Sequence, residues 1–142
     1  MGIALECDKG TLKRSSLFKA ERFFYEFIGE VNEQLRKNLL AFLTSYSERA
    51  SSIIDLPLHA LSPFRTDILR HLQQIPLGSL ITYGELAAEA GYPGAARAAG
   101  TACHFNPFPL FIPCHRVIAS GGKIGGFACD LEIKKRLLNF EK

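Results

Sequence analysis

The sequence predicts a mainly helical α+β fold, and three observations lead to this class. Its 142 residues, 47% hydrophobic and 22% charged, suit one compact domain with a small appendage and exclude disorder, collagen-like repeats and a coiled coil. Apolar residues recur at helical spacing in several stretches, whereas only brief runs have the character of strands. A chain of this size can also bury a core without disulfide or metal staples.

The first predicted helix covers most of residues 23–46. Apolar residues repeat there every four positions, at Phe23, Phe27, Val31, Leu35, Leu39 and Leu43, although Gly29 weakens the pattern. Residues 1–19 are ambiguous and allow a short strand at residues 3–7. Residues 51–58 are β-branched enough for another brief strand, which Pro57 would end or leave at a sheet edge.

The next two helices have clear end signals. Ser62 followed by Pro63 is typical of a helix N-cap and first helical position. Thr82 and Glu85 have capping-box spacing, and Gly91 suits the position just after a last helical turn. These signals predict two short helices before and after residue 80.

A further helix, residues 95–105, consists mostly of small side chains. Ala95, Ala96 and Thr101 leave a nearly bare surface around Arg97, its one long cationic side chain. With the helix before it and the short turn between them, it has the proportions of a helix-turn-helix. Such a face can pack against another helix or enter a groove of DNA.

Short apolar runs alternate with turns in the remaining part of the chain. Residues 110–112 form a strand-like run that Pro113 stops, and residues 121–126 form a glycine-rich loop. Asp130 suits the N-cap of a final helix that extends to about residue 140. The broad apolar face expected for this helix consists of Leu131, Ile133, Leu137 and Leu138.

Charge and cysteine content narrow the class of protein. Seventeen Lys and Arg against fourteen Asp and Glu give a net charge of +3, which permits an anionic partner without requiring one. No apolar run is long enough to cross a bilayer, and Glu6 and Asp8 do not suit a signal peptide. From these two features we expect no membrane contact and an intracellular location, where cysteines are free thiols. The cysteines and histidines also lack zinc-site spacing, so we expect no metal site.

Cys114 is the candidate nucleophile. It lies between Pro113 and His115 and close to Arg116, an electropositive setting that favours thiolate over thiol. Judged from spacing alone, an inert packing cysteine is the alternative, and adjacent histidines often face away from their neighbour.

Around this cysteine the sequence resembles the O6-alkylguanine-DNA alkyltransferases, also called methylated-DNA–protein-cysteine methyltransferases. Residues 112–117, Ile-Pro-Cys-His-Arg-Val, are identical to the signature of that family. The resemblance begins at about Asp55 and reaches the C-terminus. Its other blocks, in the family's order, are Ser62-Pro63-Phe64, Ile75-Pro76-Leu77-Gly78, Thr82-Tyr83-Gly84-Glu85-Leu86-Ala87, Ala95-Ala96-Arg97-Ala98, Asn106-Pro107, Gly125-Gly126-Phe127, Leu131, Lys134 and Glu141.

The resemblance implies a protein that repairs DNA by direct damage reversal. Residues 58–142 would form a winged-helix-like alkyltransferase domain with a helix-turn-helix, and residues 1–57 a shortened, largely helical N-terminal region. The implied reaction moves an alkyl group, such as methyl, from O6 of guanine in double-stranded DNA to Cys114, once per molecule and without a cofactor. We expect a monomer in the cytoplasm, or in the nucleus of a eukaryotic cell.

The resemblance also assigns catalytic roles. His115 would take the proton of Cys114 through a bridging water, while Glu141 orients His115 and stabilises its charged form. Tyr83 would donate a proton to the guanine leaving group. Without the resemblance, Glu141 would be read as a solvated residue near the C-terminus and Tyr83 as a packing residue.

The same resemblance implies how DNA and the base are held. Arg97 would fill the space left when guanine rotates out of the stack, and the small residues Ala95, Ala96 and Thr101 would approach the minor groove. Asn106 would brace the recognition helix against the active-site segment, where an ordinary Asn-Pro turn is the alternative. The guanine pocket would be formed by Val117, Phe127 and Ala128.

Two other functions remain open on the sequence. A lesion sensor or helix-turn-helix regulator would keep the scaffold without chemistry, but the resemblance argues against it because relatives that only bind lesions lack the cysteine. A cysteine hydrolase is the weaker alternative, since no oxyanion-hole pattern accompanies Cys114.

Overall fold

The structure, a computed structural model, describes residues 1–125 and 129–142. Its strands are β1 (Gly2–Asp8), β2 (Thr11–Phe18), β3 (Phe24–Gly29), β4 (Ile81–Thr82) and β5 (Val117–Ile118). Its helices are α1 (Glu33–Ser47), α2 (Pro63–Gln73), α3 (Tyr83–Glu89), α4 (Ala96–His104) and α5 (Leu131–Glu141), with 3-10 turns at Cys114–Arg116 and Ser120–Gly122. Helices combined with two small sheets confirm the α+β class.

The N-terminal residues form a three-stranded sheet, so the prediction of a largely helical region is wrong there. The strand order is β2-β1-β3, with β1 antiparallel to β2 and parallel to β3. The expected strand at residues 3–7 is confirmed within β1. The strand β2 lies in the stretch that the sequence left ambiguous.

The helix predicted to begin at Phe23 begins ten residues later, at Glu33. The residues of β3 are rich in aromatic and apolar side chains that suit a strand, and their backbone pairs with β1. Gly29 ends this strand with a φ of +85°, where a Cβ atom would collide with the backbone oxygen of Cys7. Because the pairing partner lies about twenty residues away, the local four-residue spacing could not reveal it.

The strand expected at residues 51–58 is absent from the described structure. Leu56 and Leu58 are buried in the hydrophobic core instead, without a neighbouring strand to pair with. The β-branched residues that suggested a strand do not pair either, and Ile53 is exposed while Ile54 is partly buried.

The end signals of the middle helices are confirmed. Ser62 accepts a hydrogen bond from the Arg65 N–H at the start of α2. Thr82 and Glu85 form the reciprocal capping box of α3, and Gly91 follows that helix with a φ of +96°. The helices α2, α3 and α4 pack against one another, as a helix-turn-helix requires.

The strand-like run at residues 110–112 is a buried turn, which corrects that prediction. Leu110 has a φ of +77°, a conformation that a strand does not contain. Ser15 of β2 holds the turn, because its N–H donates to the Pro107 oxygen at 3.0 Å and its hydroxyl to the Pro109 oxygen at 2.9 Å. The N-terminal sheet therefore supports the segment that leads into the first 3-10 turn.

Asp130 connects the start of α5 to the same sheet. Its carboxylate accepts from the Glu132 N–H at 2.8 Å, which confirms the predicted cap, and it lies 3.0 Å from the Lys19 ammonium. Just before it, the Cys129 thiol is in hydrogen-bond contact with the backbone of Leu17 in β2.

The buried face of α5 differs from the apolar face predicted. Ile133 and Leu137 are buried as expected, but Leu131 is 44% exposed because it begins the helix at the surface. Two charged residues, Lys134 and Glu141, occupy buried positions instead. A buried charge needs partners, so these two residues mark this face of α5 as a candidate functional site.

One hydrophobic core joins the N-terminal strands and α1 to the later helices. Members from each part are Ile3, Leu39, Ile68, Leu86, Ile112 and Ile133. None of the helices in the described ranges combines the length and apolar character that crossing a membrane demands.

Candidate active site

Cys114 opens a 3-10 turn that lies against the start of α3. The strand β5 follows the turn and pairs in parallel with β4, whose last residue is the N-cap of α3. This pairing brings Cys114 near Tyr83, the first residue of α3, and the Cys114 thiol contributes to raising the pKa of the Tyr83 phenol. The Cys114 side chain is withdrawn from solvent, at 2% exposure.

Asn106 fixes the chain that leads into this thiol. Its amide nitrogen donates to the Ile112 oxygen at 2.9 Å, and its side-chain oxygen accepts from the Phe108 N–H at 2.9 Å. The side chain also makes a hydrogen bond with Cys114. The Asn106 side chain is therefore buried and hydrogen-bonded, unlike that of an ordinary exposed turn, and its role as a brace stays a prediction.

The resting state of Cys114 differs from the sequence prediction. Burial raises the pKa of the Cys114 thiol to about 11, and the hydrogen bond from Asn106 and the charge of Lys134 only partly oppose this effect. The prediction that the local cations favour the thiolate is therefore wrong, because it neglected the cost of burying a charge. At neutral pH the group is a thiol and needs a base to become a nucleophile.

His115 is fully buried and is oriented by Glu141. The His115 Nε2 atom lies 2.6 Å from Glu141 Oε1. Since Glu141 is a carboxylate, Nε2 carries the proton and Nδ1 is left as an acceptor. Nδ1 is buried and has no hydrogen-bond partner among the described residues.

Burial lowers the pKa of His115 and outweighs the opposing effect of Glu141, while the positive charges of Arg116 and Lys134 lower it further. The imidazole is therefore neutral at pH 7 and able to accept a proton. This is the protonation state that a general base needs.

Glu141 is a buried anion with several donors, so the reading of a solvated tail residue is wrong. Arg116 binds it with two parallel hydrogen bonds, Nε to Oε2 and Nη2 to Oε1, both at 2.9 Å. The Tyr46 hydroxyl donates to Oε1 at 2.8 Å, and the Gly78 N–H lies 3.4 Å from Oε2. Burial alone would raise the pKa of Glu141, but the hydrogen bonds and charges of His115 and Arg116 lower it well below the ordinary value.

Two residues of this network were missed as site residues by sequence reasoning. Arg116 carried a signal, because it adjoins His115 and is the only long cation in that motif. Tyr46 carried none, because it lies 95 residues from Glu141 in the chain and reads as one more apolar helix position.

Tyr83, Cys103 and Lys134 surround the thiol. Burial raises the pKa of Tyr83 to about 12, with smaller contributions from Cys103 and Cys114, so the phenol keeps its proton at neutral pH. Lys134 is buried and donates to the Val117 oxygen and the Ile124 oxygen, each at 2.7 Å. The ammonium thus ties the strand after Cys114 to Ile124 of the glycine-rich loop.

The remaining predicted site residues fall into three groups. Arg97, Ala96 and Thr101 are exposed on α4, with Ala95 partly exposed at its start. Val117 is buried in β5, and its backbone oxygen is engaged by Lys134. The predicted pocket residues Phe127 and Ala128 lie outside the described residues.

No group of three or more His, Cys, Asp or Glu side chains suited to a metal occurs in residues 1–125 and 129–142. The chemistry available at this site is that of a buried thiol, a neutral imidazole held by a carboxylate, and a protonated phenol.

Comparison with known proteins gives consistent results. Residues 63–142 match a family model described as the DNA binding domain of 6-O-methylguanine DNA methyltransferase. The chain is 41% identical over 116 residues to a methylated-DNA–protein-cysteine methyltransferase of Mycolicibacterium paratuberculosis, covering 82% of this chain and 66% of that protein. It is 36% identical over 116 residues to the protein of the same name in Methanosarcina acetivorans, covering 82% of this chain and 70% of that protein.

The fold is also similar to that of a crystal structure of Mycobacterium tuberculosis OGT in complex with DNA. The TM-score is 0.73 at 24% sequence identity, over 99% of this chain and 93% of the other. This likeness extends to the N-terminal sheet and to α1, which the family model does not include.

Proposed function

The chain belongs to the 6-O-methylguanine DNA methyltransferase family, and we propose that it repairs alkylated DNA by transferring an alkyl group from O6 of guanine to Cys114. A bond forms between the Cys114 sulfur and the alkyl carbon as the bond from that carbon to O6 breaks. The observation that carries the proposal is the buried thiol beside an imidazole whose Nδ1 is unpartnered among the described residues and whose Nε2 is held by Glu141.

His115 acts as the base in this reaction. Because the pKa of Cys114 is raised to about 11, the thiol must lose its proton as it attacks. One buried water between the sulfur and His115 Nδ1 would carry the proton and satisfy the nitrogen. The Glu141 carboxylate then stabilises the imidazolium that forms.

Tyr83 serves the leaving group. Negative charge develops on guanine as the alkyl group departs, and a phenol that keeps its proton can donate to it. Because Tyr83 lies near Cys114, the phenol can donate to the same guanine whose alkyl group the Cys114 sulfur attacks.

Residues 58–142 carry DNA binding and transfer, and residues 1–57 support them. The target atom is inside the duplex stack, so the base must rotate out, at a cost of a few kcal/mol. The small exposed residues of α4 allow close approach to the minor groove, and Arg97 fills the vacated space. The protein acts on DNA as a monomer in the cytoplasm, or in the nucleus of a eukaryotic cell.

Each molecule reacts once. The product is a thioether, and regenerating the thiol would require a nucleophile to attack an unactivated S-alkyl bond. Attack by the neighbouring Cys103 thiol would only move the alkyl group to a second cysteine, and burial raises the pKa of Cys103 to about 12, so that thiol stays protonated. A lesion sensor is the less favoured function, because nothing in passive binding uses a buried thiol next in the chain to a neutral imidazole that a carboxylate holds.

The test is intact-mass measurement after mixing the protein with a duplex that contains one O6-methylguanine. We expect a gain of one methyl group per molecule, located on Cys114 by peptide mapping, with no added cofactor. Cys114→Ala should gain no mass and still bind the duplex, whereas Cys7→Ala, which removes a buried thiol of β1, should react like the parent. Unmodified parent protein at saturating duplex contradicts the proposal.

A further inference from the structure

Tyr46 reaches the active-site carboxylate from the N-terminal part of the chain. It lies in the last turn of α1, it is buried, and its ring packs on Phe140 with the ring centres 5.3 Å apart. Its hydroxyl donates to Glu141 Oε1 at 2.8 Å. A phenylalanine would make the same ring contact, so packing alone does not account for the hydroxyl.

The hydroxyl binds the oxygen that orients His115. Oε1 receives His115 Nε2 at 2.6 Å, Arg116 Nη2 at 2.9 Å and the Tyr46 hydroxyl, whereas Oε2 receives Arg116 Nε and the more distant Gly78 N–H. A carboxylate oxygen has about two lone-pair sites, so three donors compete for its charge. Each donor weakens the hold of that oxygen on the others.

We propose that Tyr46 is a positioning residue that sets the basicity of His115 by sharing Glu141 Oε1. The inference rests on the proposed transfer reaction, in which His115 takes the thiol proton. It gives α1 a role in the chemistry, although Tyr46 acts on Glu141 and not directly on the guanine or on the Cys114 sulfur.

The other charged groups around His115 fix the direction of the effect. Glu141 and Lys134 face it from α5, and Arg116 lies in its own turn. When the Tyr46 hydroxyl is removed, Oε1 holds more charge for the Nε2 proton while Arg116 and Lys134 are unchanged. The charged imidazolium is then stabilised, and the pKa of His115 rises.

The experiment measures the single-turnover rate of methyl transfer across pH for the parent and for Tyr46→Phe. The rate falls on the acid side as His115 becomes protonated, and this limb should move to higher pH by about half a unit in Tyr46→Phe, as expected for one lost hydrogen bond to a charged group. Tyr25→Phe, which removes an exposed hydroxyl of β3, should keep the parent profile. A purely structural role would lower the rate by the same factor at every pH.

A second variant keeps the test valid if Tyr46→Phe is poorly folded. Replacing Tyr46 by 3-fluorotyrosine retains the hydroxyl and makes it a stronger donor, so the acid limb should move to lower pH. The inference is overturned if the parent transfers methyl and the pH profiles of both variants superimpose on the parent profile after scaling of the rates. Failure of the parent to transfer methyl would instead overturn the proposed function.

Discussion

His115 Nε2 lies 2.6 Å from Glu141 Oε1, and both side chains are withdrawn from solvent. The two residues are 26 positions apart, on the 3-10 turn and at the last position of α5. Arg116 makes the pair a triad, because it binds the same carboxylate through two hydrogen bonds. Removing one member of such a buried group lowers the stability of the protein strongly, because the remaining buried charges lose their partners.

Glu141→Gln should therefore destabilise the protein and slow the transfer. The amide keeps the shape of the side chain, but it leaves the Arg116 guanidinium without an anion and the imidazolium without a counter-charge. We expect a loss of about 3–5 kcal/mol in the free energy of unfolding, measured with urea, and a slower single-turnover reaction. Glu132→Gln changes an exposed carboxylate on the same helix and should cost far less. Equal unfolding curves for the two variants would contradict this account of Glu141.

The stability of the protein should fall as the solution becomes acidic, in two steps. His115 has a lowered pKa in the folded state, so below about pH 6.5 the unfolded chain binds a proton that the folded chain does not. Glu141 also has a lowered pKa in the folded state, so its contribution to the free energy of unfolding is likewise lost as the pH falls below about 4.3. Unfolding in urea at a series of pH values from 7 downward measures both steps.

His115→Asn isolates the first step. Its free energy of unfolding should change less between pH 7 and pH 5.5 than that of the parent, whatever its absolute stability. An equal free energy of unfolding of the parent at pH 7 and pH 5.5 would contradict the conclusion that His115 is buried as a neutral imidazole.

The sequence predicted well those features that depend on neighbouring residues. The caps at Ser62, Thr82 and Asp130 are side-chain-to-backbone bonds within a few residues, so local patterns reveal them. The resemblance to the family is visible in the sequence for a similar reason, because the signature around Cys114 is one continuous block. The site residues themselves were assigned from that resemblance, and their roles remain predictions.

The features that depend on distant contacts were not predictable from local patterns. The strand β3 pairs with β1, a distant segment, so the four-residue apolar spacing from Phe23 predicts a helix where the structure has a strand. The thiol state at Cys114 depends on burial, which the neighbouring cations in the sequence do not report. Tyr46 reaches Glu141 only because the last turn of α1 meets the end of α5, where the Tyr46 ring packs on Phe140, and neither segment carries a local sign of this contact.

Lys134→Met should lower the single-turnover rate of methyl transfer. The buried ammonium holds the Val117 and Ile124 oxygens and lowers the pKa of Cys114, so its loss makes the thiolate harder to form. A rise of one pKa unit reduces the thiolate population about tenfold. The single-turnover rate below pH 9 measures this loss, and Lys135→Met, on the exposed side of α5, serves as the control. A rate equal to that of the control would show that Lys134 has no influence on the thiol.

Arg97→Ala should impair transfer from duplex DNA more than transfer from a single strand. Arg97 is exposed on the small-residue surface of α4, where it can enter the space that a rotated guanine leaves. A single strand has no such space to fill and little stacking to overcome, so the side chain gives no advantage there. We expect about a tenfold slower reaction on the duplex, equivalent to part of the unstacking cost, and a near-normal rate on the single strand. Arg136→Ala removes an exposed cation from α5 and should leave both rates unchanged, which separates the effect from the general attraction between cations and phosphates. An equal loss on both substrates would mean that Arg97 binds the backbone and does not replace the base.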